Sequence, residues 1–303
     1  MQLMVIADPL AQLDPETDTT LGLIRAALHR GHRVRHCEIQ DLAIAGGQAQ
    51  ALAAEVGEPG RAWVGLSGHD AILFRTDPPV DRRYLDATFI LDRVSPASTL
   101  LVNDPRGIRA ANEKLWALRF PDLCPDTLVA SDSALIHEFV ERHRQCVIKP
   151  VDGHAGRGVL RLNASDSNRA SIVELLTGYG QRAVVVQEWI AAVRDGNKRI
   201  FLHNGEPAGA AVRYPIGPDF RIGRPAACAD LTERDREICR RLGPELRALG
   251  IVLAGLDVIG GFLIEVNVTS SGALHKSDRL LGTSLCDGFI HLIETVRPCR
   301  RNL

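Results

Sequence analysis

The sequence carries no surplus of charge. Its 36 lysines and arginines stand against 37 acidic residues, a formal net charge of −1. No basic block stands out, which argues against a general nucleic-acid binder. No apolar run approaches the roughly 18 residues that a membrane-spanning helix needs. The opening Met1-Gln2-Leu3-Met4-Val5-Ile6-Ala7-Asp8 lacks a basic leader region and reads as a first β-strand, not as a signal peptide. Seven cysteines (37, 124, 146, 228, 239, 286 and 299) are scattered without a C-x-x-C pair. That pattern fits reduced thiols in a cytoplasmic protein and excludes a zinc ribbon or a disulfide framework. Internal repeats and low-complexity tracts are absent. Lysine is scarce: only Lys114, Lys149, Lys198 and Lys276 occur, in a chain that otherwise uses arginine. Lysine is a compact point charge on a flexible stem, and its retention at few positions draws attention to them.

What is present is a chain of 303 residues, 45% hydrophobic and 24% charged. At roughly 100–200 residues per domain this predicts about two domains and ample core. The apolar content excludes disorder. Leu3–Ala7, a helix over Thr19–Arg30 and a strand over Val34–Ile39 open the chain as β-loop-α-β, the signature of a parallel α/β sheet. Further strands are expected at Ala71–Arg75 and Thr99–Val102, with helices over Tyr84–Arg93 and Ile108–Arg119. Alanine-rich Gln48–Glu55 reads as a short surface helix. Pro121 and Pro125 bracket a domain change near residue 120.

The second half alternates differently. Strands are expected at Cys146–Lys149, Gly158–Leu162 and Ala183–Glu188, with a helix over Asn168–Leu176. Asn204-Gly205 predicts a hairpin between Arg199–His203 and Ala208–Val212. Thr232 and Asp235 mark the start of a helix running to Leu249. Strands follow at Val252–Val258 and Phe262–Val266, and a closing helix over Leu280–Val296.

Three segments carry chemistry. In Lys149-Pro150-Val151-Asp152-Gly153-His154-Ala155-Gly156-Arg157-Gly158 a strand ends in lysine and runs into a glycine-rich loop. Glycines let backbone N–H groups approach an anion, and the lysine adds charge, so a polyphosphate fits. An ordinary glycine-rich hairpin fits as well. A Walker A loop does not, because GK[ST] is missing and a strand follows. In the second segment Glu265 and Asn267 lie two apart on a strand and leave one face together. With Asp257 from the neighbouring strand they make an oxygen-donor set of Mg²⁺ type. A polar edge facing water is the alternative. The pairing has a condition: a two-residue turn at Gly260-Gly261 would set Asp257 opposite residue 264, so facing Glu265 needs a longer loop or a bulge. Third, the strand end at Gln187-Glu188-Trp189-Ile190 can offer backbone groups to a base edge.

In this order the three segments resemble the ATP-grasp superfamily. Further elements are similar to prokaryotic glutathione synthetases: Arg75-Thr76-Asp77-Pro78-Pro79, Asn112-Glu113-Lys114, Asp195-Gly196-Asn197-Lys198-Arg199 and Glu265-Val266-Asn267-Val268-Thr269-Ser270. The resemblance spans Asp8-Pro9 to about Ser270. It implies an α/β (α+β) ATP-grasp fold: an N-terminal parallel α/β domain over 1–119, then an ATP-grasp domain over 120–303. That domain would divide into a small lid (120–190) and a larger sheet (191–303).

The resemblance also implies roles. Lys114 and Lys149 would contact ATP phosphates under a loop carrying Gly153, Gly156 and Gly158. Gln187, Glu188 and Ile190 would frame adenine, with Asn197 and Lys198 also on the nucleotide. Asp257, Glu265 and Asn267 would hold Mg²⁺, with Mn²⁺ as an alternative. Arg199 and Arg213 would stabilise the transferring phosphoryl group. Arg75, Asp8, Thr269, Ser270 and Ser271 would meet substrate. The implied activity is an ADP-forming carboxylate–amine ligase, most simply glutathione synthesis from γ-glutamylcysteine and glycine. The implied protein is a cytoplasmic homo-oligomer with small-molecule partners and no nucleic-acid or membrane partner.

The chain departs from the family pattern in three places. Arg213–Ala227 is shorter and lacks the paired glycines of an R-x-N-L-x-x-G-G segment. Ser271-Gly272-Ala273 replaces a Pro-(Thr/Ser)-Gly run. Asn197 stands where Asp is frequent. These changes favour a second reading, a ligase of the same family joining a different acid and amine. A non-catalytic nucleotide-binding protein is a third.

The bland expectations concern histidine, tryptophan and arginine. His29, His32 and His36 are expected to face solvent, and Trp63, Trp116 and Trp189 to serve packing. The clusters Arg30–Arg35 and Arg297–Arg301 are expected to be solvated faces.

Overall fold

The computed structural model describes residues 1–154, 156–215 and 219–297. Cys299, most of the Arg297–Arg301 cluster and residues 216–218 of the departing segment lie outside the described residues.

The chain builds three sheets. The first begins with β1 (Gln2–Ile6), α1 (Thr19–His29) and β2 (Arg33–Cys37). Asp18 starts α1 by accepting hydrogen bonds from the N–H groups of Thr20 (2.7 Å) and Leu21 (3.1 Å). Gly31 ends it, at φ +77°. Then come β3 (Leu42–Ala45), β4 (Gln48–Glu55), β5 (Ala62–Gly65), β6 (Ala71–Phe74), α2 (Arg82–Leu91), β7 (Leu100–Val102) and α3 (Pro105–Ala110). The strand order is β3-β4-β2-β1-β6-β7, with β5 on β4. β2, β1, β6 and β7 are parallel, as the opening motif predicts.

The second sheet comprises β8 (Thr127–Ala130), β9 (Gln145–Pro150), β10 (Leu160–Asn163) and β11 (Val184–Glu188), antiparallel in the order β10-β9-β11-β8. Helices α4 (Ser133–His143) and α5 (Arg169–Thr177) cover it. Their apolar faces make a separate core that includes Ile136, Phe139, Ile148, Val173 and Val186.

The third sheet has the order β14-β13-β12-β15-β16. Its strands are β12 (Asn197–His203), β13 (Glu206–Pro215), β14 (Ile222–Cys228), β15 (Leu253–Ile259) and β16 (Phe262–Asn267). Helix α6 (Glu233–Ala248) starts at the predicted capping box of Thr232 and Asp235. The chain then runs through α7 (Leu274–Leu281) and α8 (Leu285–Val296). The cores of the first and third sheets are continuous: Leu3, Val5, Phe201, Ala211 and Phe289 share one cluster. Asn103 fastens the two together. Its amide donates to the carbonyls of Leu253 (2.8 Å) and Val268 (2.6 Å), and its carbonyl accepts from Val252 and Leu253 N–H.

Several expected elements are corrected. Gln48–Glu55 is strand β4, not a helix. Its alternation buries Ala49, Ala51 and Ala53, and Gly46-Gly47, both at positive φ, turn it back on β3. Period-two burial outweighs alanine's helix preference here. The helix expected over Ile108–Arg119 stops at Ala110 and resumes as one 3₁₀ turn at Trp116–Arg119. Between them Asn112 Oδ1 accepts the N–H groups of Lys114 and Leu115, both at 3.1 Å. The closing helix is two helices, parted at Gly282, with Asp278 accepting the first N–H groups of α8.

His32 does not face solvent: it bonds Glu294 at 2.8 Å and the Met1 ammonium at 3.1 Å, while Arg30 pairs with Glu294 and Asp287. His36 reaches the Ala7 carbonyl, and His29 is exposed. Trp63 is 56% exposed and packs little. Six free cysteines lie among the described residues, five of them buried.

Candidate active site

A cleft of about 640 Å³ opens where the three sheets meet. Its size falls in the range usual for small-molecule sites. From the four-stranded sheet it is lined by Lys149, Gly153, Gly156, Gln187 and Glu188, and just beyond by Ile190. The five-stranded sheet gives Asn197, Arg199, Arg213, Asp257, Glu265 and Asn267. The N-terminal sheet adds Arg75, and the segments after β16 and between α3 and β8 add Thr269, Ser270 and Lys114.

β15 and β16 set the acidic groups. The turn is the two-residue Gly260-Gly261, and Ile259 pairs with Phe262 and Val258 with Leu263. A register shift then follows, leaving Ile264 unopposed, so Asp257 faces Glu265. The bulge supplies the extra residue that the sequence required.

Asp257 holds the centre. Arg199 grips it with two bonds, Nε to Oδ1 at 2.6 Å and Nη2 to Oδ2 at 3.0 Å. Arg213 adds Nη2 to Oδ1 at 2.6 Å and also donates to Asn197 Oδ1 at 2.7 Å. Burial pushes the Asp257 carboxyl up, but the two guanidiniums outweigh it and hold it at about 2. Gly255, two residues earlier on the same face, makes room for this pair. A Cβ there would lie 2.9 Å from Arg199 Nη1 and 2.6 Å from Ser271 Oγ.

Oxygen donors for a hard cation are in place. The Asn267 amide nitrogen donates to the Gly255 carbonyl at 3.1 Å, which leaves its own carbonyl oxygen for the cleft. Glu265 Oε1 accepts a hydrogen bond from Lys114 Nζ at 3.2 Å, which leaves Oε2 for the cleft. Among the described residues no group of three or more His, Cys, Asp or Glu side chains gathers for a metal. Two carboxylates and an amide therefore fit Mg²⁺ only with further oxygens from a phosphate ligand, the usual Mg²⁺ arrangement.

Lys114 Nζ also donates to the Gly153 carbonyl in the glycine-rich loop. Lys149 is 5% exposed and has no hydrogen-bond partner among the described residues. Burial, with Lys114 nearby, pulls its pKa from 10.5 to about 8, against the pull of Glu265. A phosphate placed beside Nζ would restore the charged form, so a nucleotide bound there would bring the uptake of roughly half a proton near pH 8. Calorimetric ADP titrations in buffers of different ionisation enthalpy check this. Lys149→Met is expected to abolish the uptake and weaken ADP about tenfold or more; a titration unchanged in both respects refutes the phosphate role.

Arg75 is a second buried cation at the cleft, 4% exposed and without a carboxylate in ion-pair range among the described residues. It donates to the Ser271 carbonyl at 3.2 Å and to Thr20 Oγ1 at 3.5 Å. Burial pulls its pKa down. A buried guanidinium with spare donors facing a cavity calls for an anionic ligand.

Four of the predicted site residues lie off the cleft wall. Lys198 points to the other face of β12 from Asn197 and Arg199, where it bonds Asp235 at 2.5 Å and the Asp230 carbonyl at 3.0 Å. Asp8 accepts the Asp77 N–H at 3.0 Å behind the wall. Ser271 is buried, its hydroxyl without a partner among the described residues, and contributes its carbonyl to Arg75. Gly158 packs on Pro150 and lines a smaller hollow outside the loop. The Gln187 and Glu188 side chains brace the four-stranded sheet, on Thr127 Oγ1 (3.0 Å) and Asp126 N–H (3.3 Å).

Other lining residues had no role from sequence. Asp14, Thr17, Asp18 and Thr19 follow the C-terminal end of β1, where parallel sheets gather ligands; that position was the available signal. Trp189 lies between the Arg161 guanidinium, 4.3 Å from its ring centre, and Phe220, 5.3 Å away edge-on.

With this geometry in place, comparison with known proteins is decisive. The model of the prokaryotic glutathione synthetase N-terminal domain matches residues 1–109, and that of its ATP-grasp domain matches residues 113–282. The chain belongs to the prokaryotic glutathione synthetase family. A glutathione synthetase of Synechococcus elongatus is 42% identical over 319 aligned positions, covering 98% of this chain and 99% of that one. One from Gloeobacter violaceus is also 42% identical, with both chains fully covered. One from Bradyrhizobium diazoefficiens is 37% identical over 98% of this chain and 99% of its own. The alignment with the Synechococcus protein is longer than the 303 residues of this chain, so that relative carries residues that this member of the family lacks.

Among solved structures, a D-cycloserine synthetase superposes with a TM-score of 0.68 at 19% identity, covering 98% of this chain and 100% of that one. An ATP-grasp ligase complexed with a minimal precursor superposes with a TM-score of 0.68 at 17% identity, over 97% and 98% of the two chains. The fold of this glutathione synthetase family member is ATP-grasp. No helix among its described residues is long and apolar enough to cross a membrane.

Proposed function

We propose that the protein is an ADP-forming ligase that joins the cysteinyl carboxylate of γ-glutamylcysteine to the amine of glycine at the expense of ATP. The observation that carries this reading is one cleft that holds, among the described residues, a buried lysine without a hydrogen-bond partner, a buried guanidinium without a carboxylate in ion-pair range, and an Asp257–Glu265–Asn267 oxygen set. They suit a phosphate, a carboxylate and a hard cation side by side.

A carboxylate is a poor acylating agent. In the proposed reaction its oxygen attacks the γ-phosphorus of ATP and ADP leaves. The amine then attacks the acyl-phosphate carbon, phosphate departs with the C–O electron pair, and the amine gives up a proton. The protein's work is positioning and charge neutralisation. Lys149 and Lys114 hold phosphate oxygens below the glycine-rich loop of residues 153–158. Arg199 and Arg213, kept in place by Asp257, present their remaining N–H groups to the charge on the transferring phosphoryl. Arg75 anchors a carboxylate of the acid. Asp257, Glu265 and Asn267 hold Mg²⁺, or Mn²⁺ in its place, which supplies further neutralisation of phosphate charge when bound. The four-stranded sheet, with its own core, is proposed as the lid over the nucleotide, and Gln187 to Ile190 as the frame of adenine. The division at residues 119/120 and 190/191 follows the same reading, as do a cytoplasmic location and a homo-oligomeric state.

Phosphate release from ATP and Mg²⁺ tests the substrates. Release with γ-glutamylcysteine plus glycine, and with no other pair in a panel of amino acids and dipeptides, is the expected result. Release only with another pair would reassign the acid or the amine to the altered segments 214–227 and 271–273. Nucleotide binding without release for any pair would leave a non-catalytic protein.

A further inference from the structure

Glu113 is a half-buried carboxylate at the cleft that the chemistry above does not use. Burial and the nearby Glu265 push its pKa up, so the protein holds it there against a cost. Its contacts lie 155 residues away in sequence. One carboxylate oxygen, Oε1, accepts three hydrogen bonds: from Val268 N–H at 2.9 Å, Thr269 N–H at 3.1 Å and Thr269 Oγ1 at 2.8 Å. Its own carbonyl accepts the Val266 N–H at 2.9 Å. The segment is thus stitched to the end of β16 and the turn that follows, around both Glu265 and Asn267. The next residue, Lys114, reaches Glu265 and the Gly153 carbonyl of the glycine-rich loop.

We propose that Glu113 is a positioning residue: its carboxylate oxygen, as a triple acceptor, locks Lys114, Glu265 and Asn267 into one unit that receives the nucleotide phosphates. The assignment rests on the reading of those three residues given above. The geometry explains why the chain breaks its helix at Ala110. Residues 113–115 form a turn held by the Asn112 side chain, which sets the Glu113 carbonyl against β16 and its side chain against the residues that follow it. What the turn needs is an acceptor oxygen. A glutamine keeps that oxygen; an alanine leaves two N–H groups and a hydroxyl without it. A direct role for the negative charge, such as holding a substrate ammonium, makes the opposite demand, and this separates the two.

The test uses the full-length protein and E113Q, E113A and T269V. Three quantities are measured: thermal stability, ADP affinity by calorimetry with and without MgCl₂, and kcat and KM for each substrate. E113Q is expected to keep at least about a third of kcat and of ADP affinity, because the acceptor survives. E113A is expected to lose about tenfold or more in kcat and about tenfold in ADP affinity with Mg²⁺. Its KM for acid and amine should stay within about twofold. T269V should fall between them. If E113A does not fold, E113Q and T269V decide.

The proposal is overturned if E113Q is as impaired as E113A, or if KM for acid or amine rises while ADP affinity is unchanged. ADP titration involves neither acid nor amine. Failure of the wild-type protein to turn over the proposed pair would therefore count against the substrates and not against this role.

Discussion

Asp257→Asn is expected to lower both stability and turnover by large amounts. Asp257 is the only carboxylate bonded to Arg199 and Arg213 among the described residues, and all three are largely buried. Removing one partner of such a group leaves uncompensated charge in a low-dielectric site and costs about 3–5 kcal/mol. For a chain of this length that corresponds to a melting temperature lower by roughly 5–8 °C. Turnover should fall by about 10²-fold or more, since both guanidiniums lose their orientation.

The pH dependence has a definite sign. The carboxyl is held at about 2, below its ordinary 3.8. Its stabilising contribution is fully present above about pH 4 and is lost as pH falls through about 2. The stability gap between wild type and variant should therefore narrow as the pH drops from 4 to 2. Urea melts across this range check it. A variant as stable as wild type at pH 7 would contradict the account of the triad.

Glu265→Gln separates chemistry from fold. The residue lies at the cleft, its side chain is 21% exposed, and its one ion pair among the described residues is with Lys114. Stability should change by no more than about 1 kcal/mol. Turnover should drop roughly 10²–10³-fold, because the substitution removes a charged oxygen donor and loosens Lys114 together. The Mg²⁺ concentration for half-maximal activity should rise about tenfold. Near-normal rates at limiting Mg²⁺ would show that Glu265 is not part of the cation site.

Much of this site was legible because its signals are local. Glu265 and Asn267 share a face through the two-residue period of a strand, and the mismatch between the Gly260-Gly261 turn and the Asp257–Glu265 pair required a longer loop or a bulge, of which the structure uses the bulge. The same period argued against Lys198. Asn197 and Arg199 face the cleft, so the residue between them cannot, and the motif drew attention where alternation should have governed. The strand at Gln48–Glu55 was hidden because alanine marks neither period strongly; the decisive residues were Gly46-Gly47, outside it. Glu113 was quoted within a motif without a role, since no local pattern reveals a clamp on a turn 155 residues later. Arg75 lies at the cleft, and its support from Ser271 and Thr20 depends on packing between two sheets. Long-range hydrogen bonds and the direction in which a buried side chain leaves its strand are set by tertiary structure, and there the sequence is silent.

The central claim is that this cleft activates a carboxylate by phosphorylating it. The most direct measurement follows the oxygen. γ-Glutamylcysteine labelled with ¹⁸O in its cysteinyl carboxylate is incubated with the protein, ATP, Mg²⁺ and glycine, and the released phosphate is analysed by mass. The account predicts one ¹⁸O per phosphate formed, carried over when the amine displaces phosphate from the acyl carbon. Release of unlabelled phosphate together with the peptide product would contradict it.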